Sequence, residues 1–153
     1  MNLLFDTNII ISIVRDKTGY EVYHYLNPEL NNVYISFASV AEIQSIAFQN
    51  GWGRIKMNQL NTFIEEARVI DISDLLLNTY IGIDAYSQRN HPNYTNYPFK
   101  TSRNMGKNDL WIAATASLLN LSLVTTDADF DHLHDTFINL QRILPEEIQR
   151  ILK

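Results

Sequence analysis

The sequence predicts an α/β protein in which helices cover both faces of a central parallel sheet. Short apolar segments typical of fully buried strands alternate with longer segments of helical periodicity, and no linker interrupts them. Of the 153 residues, 46% are apolar, and there is no internal repeat or low-complexity tract. We therefore expect one domain over residues 1–153 with a substantial core.

The first half of the chain predicts two strand–helix units. In the opening stretch "LLFDTNIII", residues 3–5 form a short apolar strand that ends at Asp6. Thr7 or Asn8 can cap the helix that follows over 9–14. The later elements of this half are predicted as a strand over 33–36, helices over 40–49 and 55–67, and a strand over 68–72.

The second half continues the alternation. Ser73 is a natural N-cap for a helix that reaches Tyr86, and Pro145 starts a final helix with two glutamates in its first turn. Strands alternating with helices in this way favour a parallel sheet. The elements between these two helices are predicted as a helix over 108–119 and strands over 121–125 and 137–140.

Composition limits the classes of function. The absence of cysteine excludes disulfides, thiol catalysis and cysteine-ligated zinc. The formal net charge of −5 argues against a passive electrostatic nucleic-acid binder, but not against an enzyme whose acids are neutralised by metal ions. No apolar run reaches membrane-spanning length and no signal-peptide pattern is present, so we expect a cytoplasmic protein with no membrane association.

Four carboxylates occur where the predicted elements meet at one edge of the sheet. Asp6 and Asp127 follow strands, while Glu42 and Asp109 lie near the starts of helices. In a parallel sheet all four would share one rim, where ligands bind. Crowded carboxylates need a compensating charge, which a hard cation such as Mg²⁺ supplies. Each acid alone also fits a structural role, such as an Asx turn at Asp6 or a helix-dipole contact at Asp109.

Other metal or catalytic motifs fit the sequence less well. The stretch "DADFD" starts like a calcium loop, but His132 and Ile138 replace the glycine and glutamate that the loop requires. His132 and His134 are expected to be surface residues beside a turn. No phosphate-binding glycine motif or nucleophile elbow occurs.

Residues 85–108 differ from the rest of the chain in composition. They contain no acid but hold four of the twelve basic residues. Cations mixed with aromatic rings suit single-stranded nucleic acid, because cations meet phosphates and rings stack on bases. Equally, the segment can be a solvated insertion whose tyrosines pack on the body. Its basic and aromatic residues are Arg89, Lys100, Arg103, Lys107, Tyr86, Tyr94, Tyr97 and Phe99.

The ordered set of motifs resembles the PIN-domain ribonucleases, and within them the toxins of bacterial VapBC toxin–antitoxin pairs. The resemblance rests on "LLFDTNIII", "SVAEI", "NDLWIAATA" and "LVTTDADFDHL", which follow the family's order with roughly its spacing. It spans nearly the whole chain. It implies a single PIN-like nuclease domain, a three-layer α/β/α sandwich, and endoribonuclease activity that depends on Mg²⁺ or Mn²⁺.

The resemblance also implies roles for individual residues. The catalytic and metal-binding acids of the family fall on Asp6, Glu42, Asp109 and Asp127, and Asp129 would replace or supplement Asp127 as a metal ligand. The ligand-orienting residues are Thr7, Asn8 and Thr125. In the resulting hypothesis, the residues that bind RNA are Lys100, Arg103, Lys107 and Tyr97.

The expected partners are an RNA substrate, an antitoxin protein and a second copy of the chain in a homodimer. The chain is somewhat longer than a minimal toxin, so a free-standing PIN nuclease stays open. A catalytically inactive PIN-like domain that binds RNA or protein is the main alternative. A phosphatase of the haloacid-dehalogenase type ranks below it, because Asn8 stands where that chemistry needs a second aspartate.

Overall fold

The computed structural model describes residues 1–153 and contains a five-stranded sheet in which every neighbouring pair of strands is parallel. The strand order is β3-β2-β1-β4-β5, so the first strand of the chain lies at the centre and pairs with both β2 and β4. The strands are β1 (Leu3–Phe5), β2 (Val33–Ser36), β3 (Arg68–Ile70), β4 (Ser122–Thr125) and β5 (Asn139–Arg142).

Helices cover both faces of this sheet. They are α1 (Thr7–Arg15), α2 (Glu21–Leu26), α3 (Phe37–Gln49), α4 (Arg54–Glu66), α5 (Leu77–Ser87), α6 (Lys107–Leu118) and α7 (Pro145–Leu152). Two 3-10 segments, Asp74–Leu76 and Ala128–Leu133, complete the chain. None of the helices combines the length and apolar character needed to cross a membrane.

Two apolar cores lie on opposite faces of the sheet because successive strand side chains alternate in direction. Leu3 and Phe5 of β1 join the core that includes α1, α2 and α4, whereas Leu4 joins the core formed with α5 and α6. All three side chains are buried. The predicted three-layer α/β/α sandwich with a central parallel sheet is therefore confirmed.

The strand predictions were right in number and order, with errors at the boundaries. The strands over 3–5 and 33–36 match, but β3 ends at Ile70 rather than at 72. The last strand lies at Asn139–Arg142 instead of 137–140. Phe137 and Ile138 precede it in a turn and pack into the second core, which explains their apolar character without a place in the strand.

Several helix starts also differ from prediction, and for α1 and α3 the reason is a side-chain cap earlier in the chain than expected. Asp6, not Thr7 or Asn8, caps α1, and Ser36 caps α3, which begins three residues before the predicted start. Ser73 makes no capping bond, and a 3-10 turn comes before α5. The short helix α2 was not predicted. It follows a turn in which the buried carboxylate of Asp16 accepts a hydrogen bond of 2.8 Å from the backbone N–H of Val22.

Candidate metal centre

Asp6 is fixed at the centre of the carboxyl edge of the sheet. It follows β1, is buried, and accepts two hydrogen bonds of 2.7 Å, one at Oδ1 from the backbone N–H of Thr7 and one at Oδ2 from the hydroxyl of Thr125. Burial raises the pKa of Asp6, the two hydrogen bonds oppose that rise, and the charges of Asp127 and Glu42 add to it. The carboxyl group is thus oriented by two donors while it faces other acids.

A short chain of hydrogen bonds links Asp6 to the acids after β4. The Thr125 hydroxyl, which donates to Asp6, accepts a hydrogen bond of 3.0 Å from the backbone N–H of Asp127. The Asp127 carboxylate in turn accepts one of 2.9 Å from the backbone N–H of Asp129 and caps the 3-10 segment. One hydroxyl therefore sets the relative position of Asp6 and Asp127, which follow the neighbouring strands β1 and β4.

Asp109 lies in the first turn of α6, half-buried beside the same acids. Burial and then the charges of Asp6, Asp127, Glu42 and Asp129 raise its pKa to about 7. One carboxylate oxygen from each of Asp109, Asp127 and Asp129 lies within 4.8 Å of the other two. Residues that are more than 100 positions apart in sequence thus concentrate negative charge in one place.

Glu42 approaches this cluster from α3. Its Oε2 accepts a hydrogen bond of 3.0 Å from the side-chain amide of Asn108, and its charge contributes to the raised pKa of both Asp6 and Asp109. Asn108 belongs to none of the predicted groups of site residues. Its position directly before Asp109 in "NDLWIAATA" was the available signal.

The residues of this centre fit a hard divalent cation. All of the charged groups are carboxylates, which Mg²⁺ and Mn²⁺ prefer. The Thr7 hydroxyl is buried beside Asp6 and has no hydrogen-bond partner within the chain, while Asn8 is exposed at the start of α1. A bound cation would relieve the repulsion that, after burial, raises the pKa of Asp109.

The acid-free segment leads directly into this centre. The backbone N–H of Arg103 donates a hydrogen bond of 2.7 Å to the carbonyl of Ser87, and the side chains of Gln88 and Asn104 bond at 2.8 Å. These bonds hold the end of the segment against the end of α5. The exposed cations Lys100, Arg103 and Lys107 form no ion pair, and Lys107 begins α6 two residues before Asp109.

The aromatic rings of the segment pack inward. Tyr86 and Phe99 are buried, and the rings of Tyr94 and Tyr97 lie 4.9 and 5.2 Å from the ring of Tyr86. The Tyr97 hydroxyl accepts a hydrogen bond of 3.0 Å from the backbone N–H of His91. This arrangement matches the alternative in which the tyrosines pack on the body.

His132 connects the segment to the 3-10 turn that follows Asp127. Its Nε2 lies 2.8 Å from the hydroxyl of the buried Ser87, and burial lowers its pKa to about 4. The expectation of a surface residue is wrong for His132, which is half-buried and stacks parallel to Tyr86, and right for His134, which is exposed. The residues next to His132 in sequence do not indicate a contact with Ser87, which lies 45 positions earlier.

The fold and the acidic centre define an α/β/α domain with a carboxylate cluster at the carboxyl edge of its parallel sheet. The model of the PIN domain family matches residues 3–135, and the chain belongs to this family. The resemblance drawn from the sequence motifs is thereby confirmed. No curated protein matches the chain significantly in sequence.

Solved structures of toxin–antitoxin complexes contain chains with the same fold. VapBC2 from Rickettsia felis bound to a promoter DNA fragment matches with a TM-score of 0.73 and 22% identity, over 93% of this chain and 98% of that one. VapBC-1 from nontypeable Haemophilus influenzae matches with a TM-score of 0.65 and 24% identity, over 93% of this chain and 98% of that one. VapBC-5 from Mycobacterium tuberculosis matches with a TM-score of 0.63 and 17% identity, again over 93% of this chain and 98% of that one.

Proposed function

We propose that this protein is a metal-dependent endoribonuclease that hydrolyses phosphodiester bonds in RNA. The observation that carries the proposal is the gathering of carboxylates at one edge of the sheet: one oxygen each of Asp109, Asp127 and Asp129 lies within 4.8 Å of the others, and the charges of Asp6 and Glu42 act on the same place. Such a cluster is costly unless a cation compensates it. The residues proposed to hold Mg²⁺ or Mn²⁺ and to act in catalysis are Asp6, Glu42, Asp109 and Asp127, with Asp129 as a supplementary ligand.

The chain's own residues would orient this centre. Thr125 and the backbone of Thr7 fix the two oxygens of Asp6, and Asn108 holds Glu42 toward α6. Asn8 and the unpartnered Thr7 hydroxyl would orient the ligands of the ion. When bound, the divalent ion would supply charge neutralisation at the phosphate and activation of water.

The acid-free segment supports RNA as the substrate. Lys100, Arg103 and Lys107 are exposed and unpaired, so they are available to phosphates close to Asp109. Tyr97 was predicted to stack on a base. Its half-buried ring and its bond to His91 limit it to a contact at the exposed part of the ring. Action on cellular RNA would take place in the cytoplasm.

The direct test compares RNA cleavage by the wild type, Asp6→Asn and Asp135→Asn in Mg²⁺ or Mn²⁺ and in chelator. Asp135 is a matched control because its side chain is 85% exposed and it lies before β5, away from the carboxyl edge. We expect cleavage by the wild type and Asp135→Asn only with metal, and none by Asp6→Asn. A DNA strand of the same sequence tests whether cleavage is specific for RNA. Equal cleavage by Asp6→Asn and wild type would overturn the proposal.

We also propose that the protein is the toxin of a toxin–antitoxin pair. A groove of about 420 Å³ between the first two helices and α4 supports a protein partner, since Tyr20, Tyr23 and Phe63 line it and Tyr20 is 64% exposed. Apolar grooves of this kind accept an amphipathic segment of a partner. The similar chains of the solved complexes agree with this assignment.

The partner is tested by co-expression with the protein encoded immediately upstream. Thr62→Arg fills the groove, whereas Asn61→Arg adds the same charge next to it on the exposed side of α4. We expect the complex to be lost with Thr62→Arg and kept with Asn61→Arg. Co-purification that is equal for both variants would contradict this binding site.

A homodimer is the proposed assembly. Exposed apolar side chains in the 3-10 segment before α5 and in α5 itself support it, notably Leu75, which is 77% exposed, and Ile81, which is 54% exposed. Light scattering of the wild type and Leu75→Glu measures the assembly. A wild-type monomer at micromolar concentration would contradict the proposal.

A further inference from the structure

A second groove runs along α1, and two of its lining residues, Asn8 and Thr126, are close in sequence to acids of the metal centre. Asn8, Ile11, Ser12 and Arg15 line one wall, and their spacing of three, four and seven residues places them on one face of the helix. The other wall is formed by α7, with Ile148 and Gln149 among its residues. The groove encloses about 230 Å³ and is separate from the larger groove between the early helices and α4.

One end of this groove adjoins the residues that hold Asp6. Asn8 lies two residues after Asp6, and Thr126, which also lines the groove, stands between Thr125 and Asp127. This end of the groove is therefore the one that a strand bound at the acidic centre would enter. Arg15 marks the far end, about 10 Å from Asn8 along the axis at a helical rise of about 1.5 Å per residue.

The chemistry of the groove suits an unpaired nucleotide. The half-buried Ile11 offers apolar surface to a base or sugar, and the amides of Asn8 and Gln149 can both donate and accept hydrogen bonds. Arg15 is exposed and forms no ion pair. No carboxylate lines the groove, so an anionic strand meets no repulsion from its walls.

The dimensions favour a single strand. A volume of about 230 Å³ is below the roughly 300–1,000 Å³ typical of pockets that enclose a drug-sized ligand, so the groove holds about one nucleoside. The span to Arg15 covers about three nucleotides at a stacked rise of about 3.4 Å. A base-paired helix presents its bases to its own partner strand and could not insert one here.

We propose that this groove is a binding subsite for the unpaired nucleotides that flank the cleaved bond of the RNA. This inference rests on the proposed function. The base or sugar lies on Ile11, the amides of Asn8 and Gln149 contact polar edges, and Arg15 contacts a phosphate of the same strand.

The test uses two groove variants and one control. Arg15→Gln removes the phosphate contact, and Gln149→Glu places a carboxylate in the groove without changing the side-chain shape. Arg150→Gln is the control, since Arg150 lies outside the groove. Arg15 and Arg150 both stand in the last turn of a helix, so the two arginine variants lose the same helix-dipole contact. Thermal midpoints verify that all three fold.

Binding is measured by fluorescence anisotropy with a short single-stranded RNA and with a duplex of the same sequence, each variant carrying Asp6→Asn to prevent cleavage. Cleavage is measured in the unmodified background. We expect Arg15→Gln to weaken single-strand binding about 5- to 10-fold and to reduce the salt slope by about one. Gln149→Glu weakens binding as well, and Arg150→Gln matches the parent. The duplex binds more weakly to the parent and does not distinguish the variants.

The outcomes separate this inference from the proposed function. If the wild type cleaves RNA and the groove variants bind and cleave like the control, the groove proposal alone is overturned. It is also overturned if the groove variants lose duplex binding as much as single-strand binding. RNA that is bound but never cleaved, with a selective loss in Arg15→Gln and Gln149→Glu, supports the groove and overturns the nuclease. A wild type that neither binds nor cleaves RNA overturns both.

Discussion

The hydroxyl of Thr125 donates a hydrogen bond of 2.7 Å to the buried carboxylate of Asp6, across the junction of the two central strands. The same oxygen accepts a bond of 3.0 Å from the backbone N–H of Asp127. The uncharged side chain of Thr125 therefore orients two proposed metal ligands: it contacts the carboxylate of Asp6 directly and positions Asp127 through the backbone N–H of Asp127.

Replacing Thr125 with valine should impair both stability and cleavage. The buried carboxylate of Asp6 would keep only the Thr7 donor, which we expect to cost about 1–3 kcal/mol of unfolding free energy at pH 8. Cleavage should fall at least about tenfold, which corresponds to about 1.4 kcal/mol. Urea denaturation and RNA cleavage rates measure the two effects. Thr125→Ser keeps the hydroxyl and should retain most of both, whereas a fully active Thr125→Val would contradict the role of the bond.

The raised pKa of Asp109 should make stability decrease with pH in chelator. The folded protein retains a proton on Asp109 between its ordinary pKa of 3.8 and about 7, while the unfolded chain releases it. Stability from this group is therefore complete below about pH 4 and is lost as the pH rises to about 7. The raised pKa of Asp6 acts in the same direction. We expect Asp109→Asn to lower this dependence.

His132 gives stability a pH dependence of the opposite sign, so the contribution of Asp109 must be measured by comparing the wild type with Asp109→Asn. Its pKa is lowered from 6.5 to about 4, so the unfolded chain binds the extra proton and stability rises with pH in that interval. The difference in thermal midpoint between wild type and Asp109→Asn cancels this contribution. It should grow in favour of the variant from pH 4 to pH 7, and a constant difference would show that Asp109 has an ordinary pKa.

Divalent cations should stabilise the wild type at pH 7.5 and above. An ion that binds only the folded state raises the unfolding free energy by about 2.7 kcal/mol at 100 times its dissociation constant. Thermal midpoints with and without Mn²⁺ measure the effect, with Asp135→Asn as a control that should respond like the wild type. Asp109→Asn should gain little. An equal gain in that variant would place the ion elsewhere.

The bond between Ser87 and His132 should contribute to stability as a pair. Ser87→Ala leaves the imidazole with no hydrogen-bond partner in the chain, since the buried Nδ1 already has none, and should cost about 1–3 kcal/mol of unfolding free energy. Ser87→Ala combined with His132→Phe removes both polar partners among aromatic neighbours and should restore part of the loss. Strict additivity in urea denaturation would show that the bond is unimportant.

The exposed cations of the acid-free segment should contribute more to RNA binding than Tyr97 does. Lys100→Gln and Arg103→Gln each remove an exposed charge, so each should weaken RNA binding and reduce the salt slope by about one. Tyr97→Phe removes only the hydroxyl that accepts from His91, so it should lower stability by about 1 kcal/mol and leave RNA affinity unchanged. Anisotropy titrations at several salt concentrations separate the two kinds of effect.

The parts of the fold that sequence predicted well depend on local signals. The strand at residues 3–5 is recognisable because three apolar residues end abruptly at an acid, and the alanine-rich α6 because its length suits only a helix. Boundaries such as that of β5 were misplaced because burial in a turn and burial in a strand select the same apolar residues. The six-residue α2 is too short for helical periodicity to register.

By itself, the sequence determined the alternation of strands and helices, the family, and which acids stand at the ends of strands and the starts of helices. Only the tertiary structure decided that Asp6 and Asp127 share one hydroxyl, that Glu42 is held by Asn108, and that the tyrosines after α5 pack inward. Periodicity and capping are encoded by neighbours along the chain. Contacts between residues dozens of positions apart depend on strand order and packing, which no local pattern encodes.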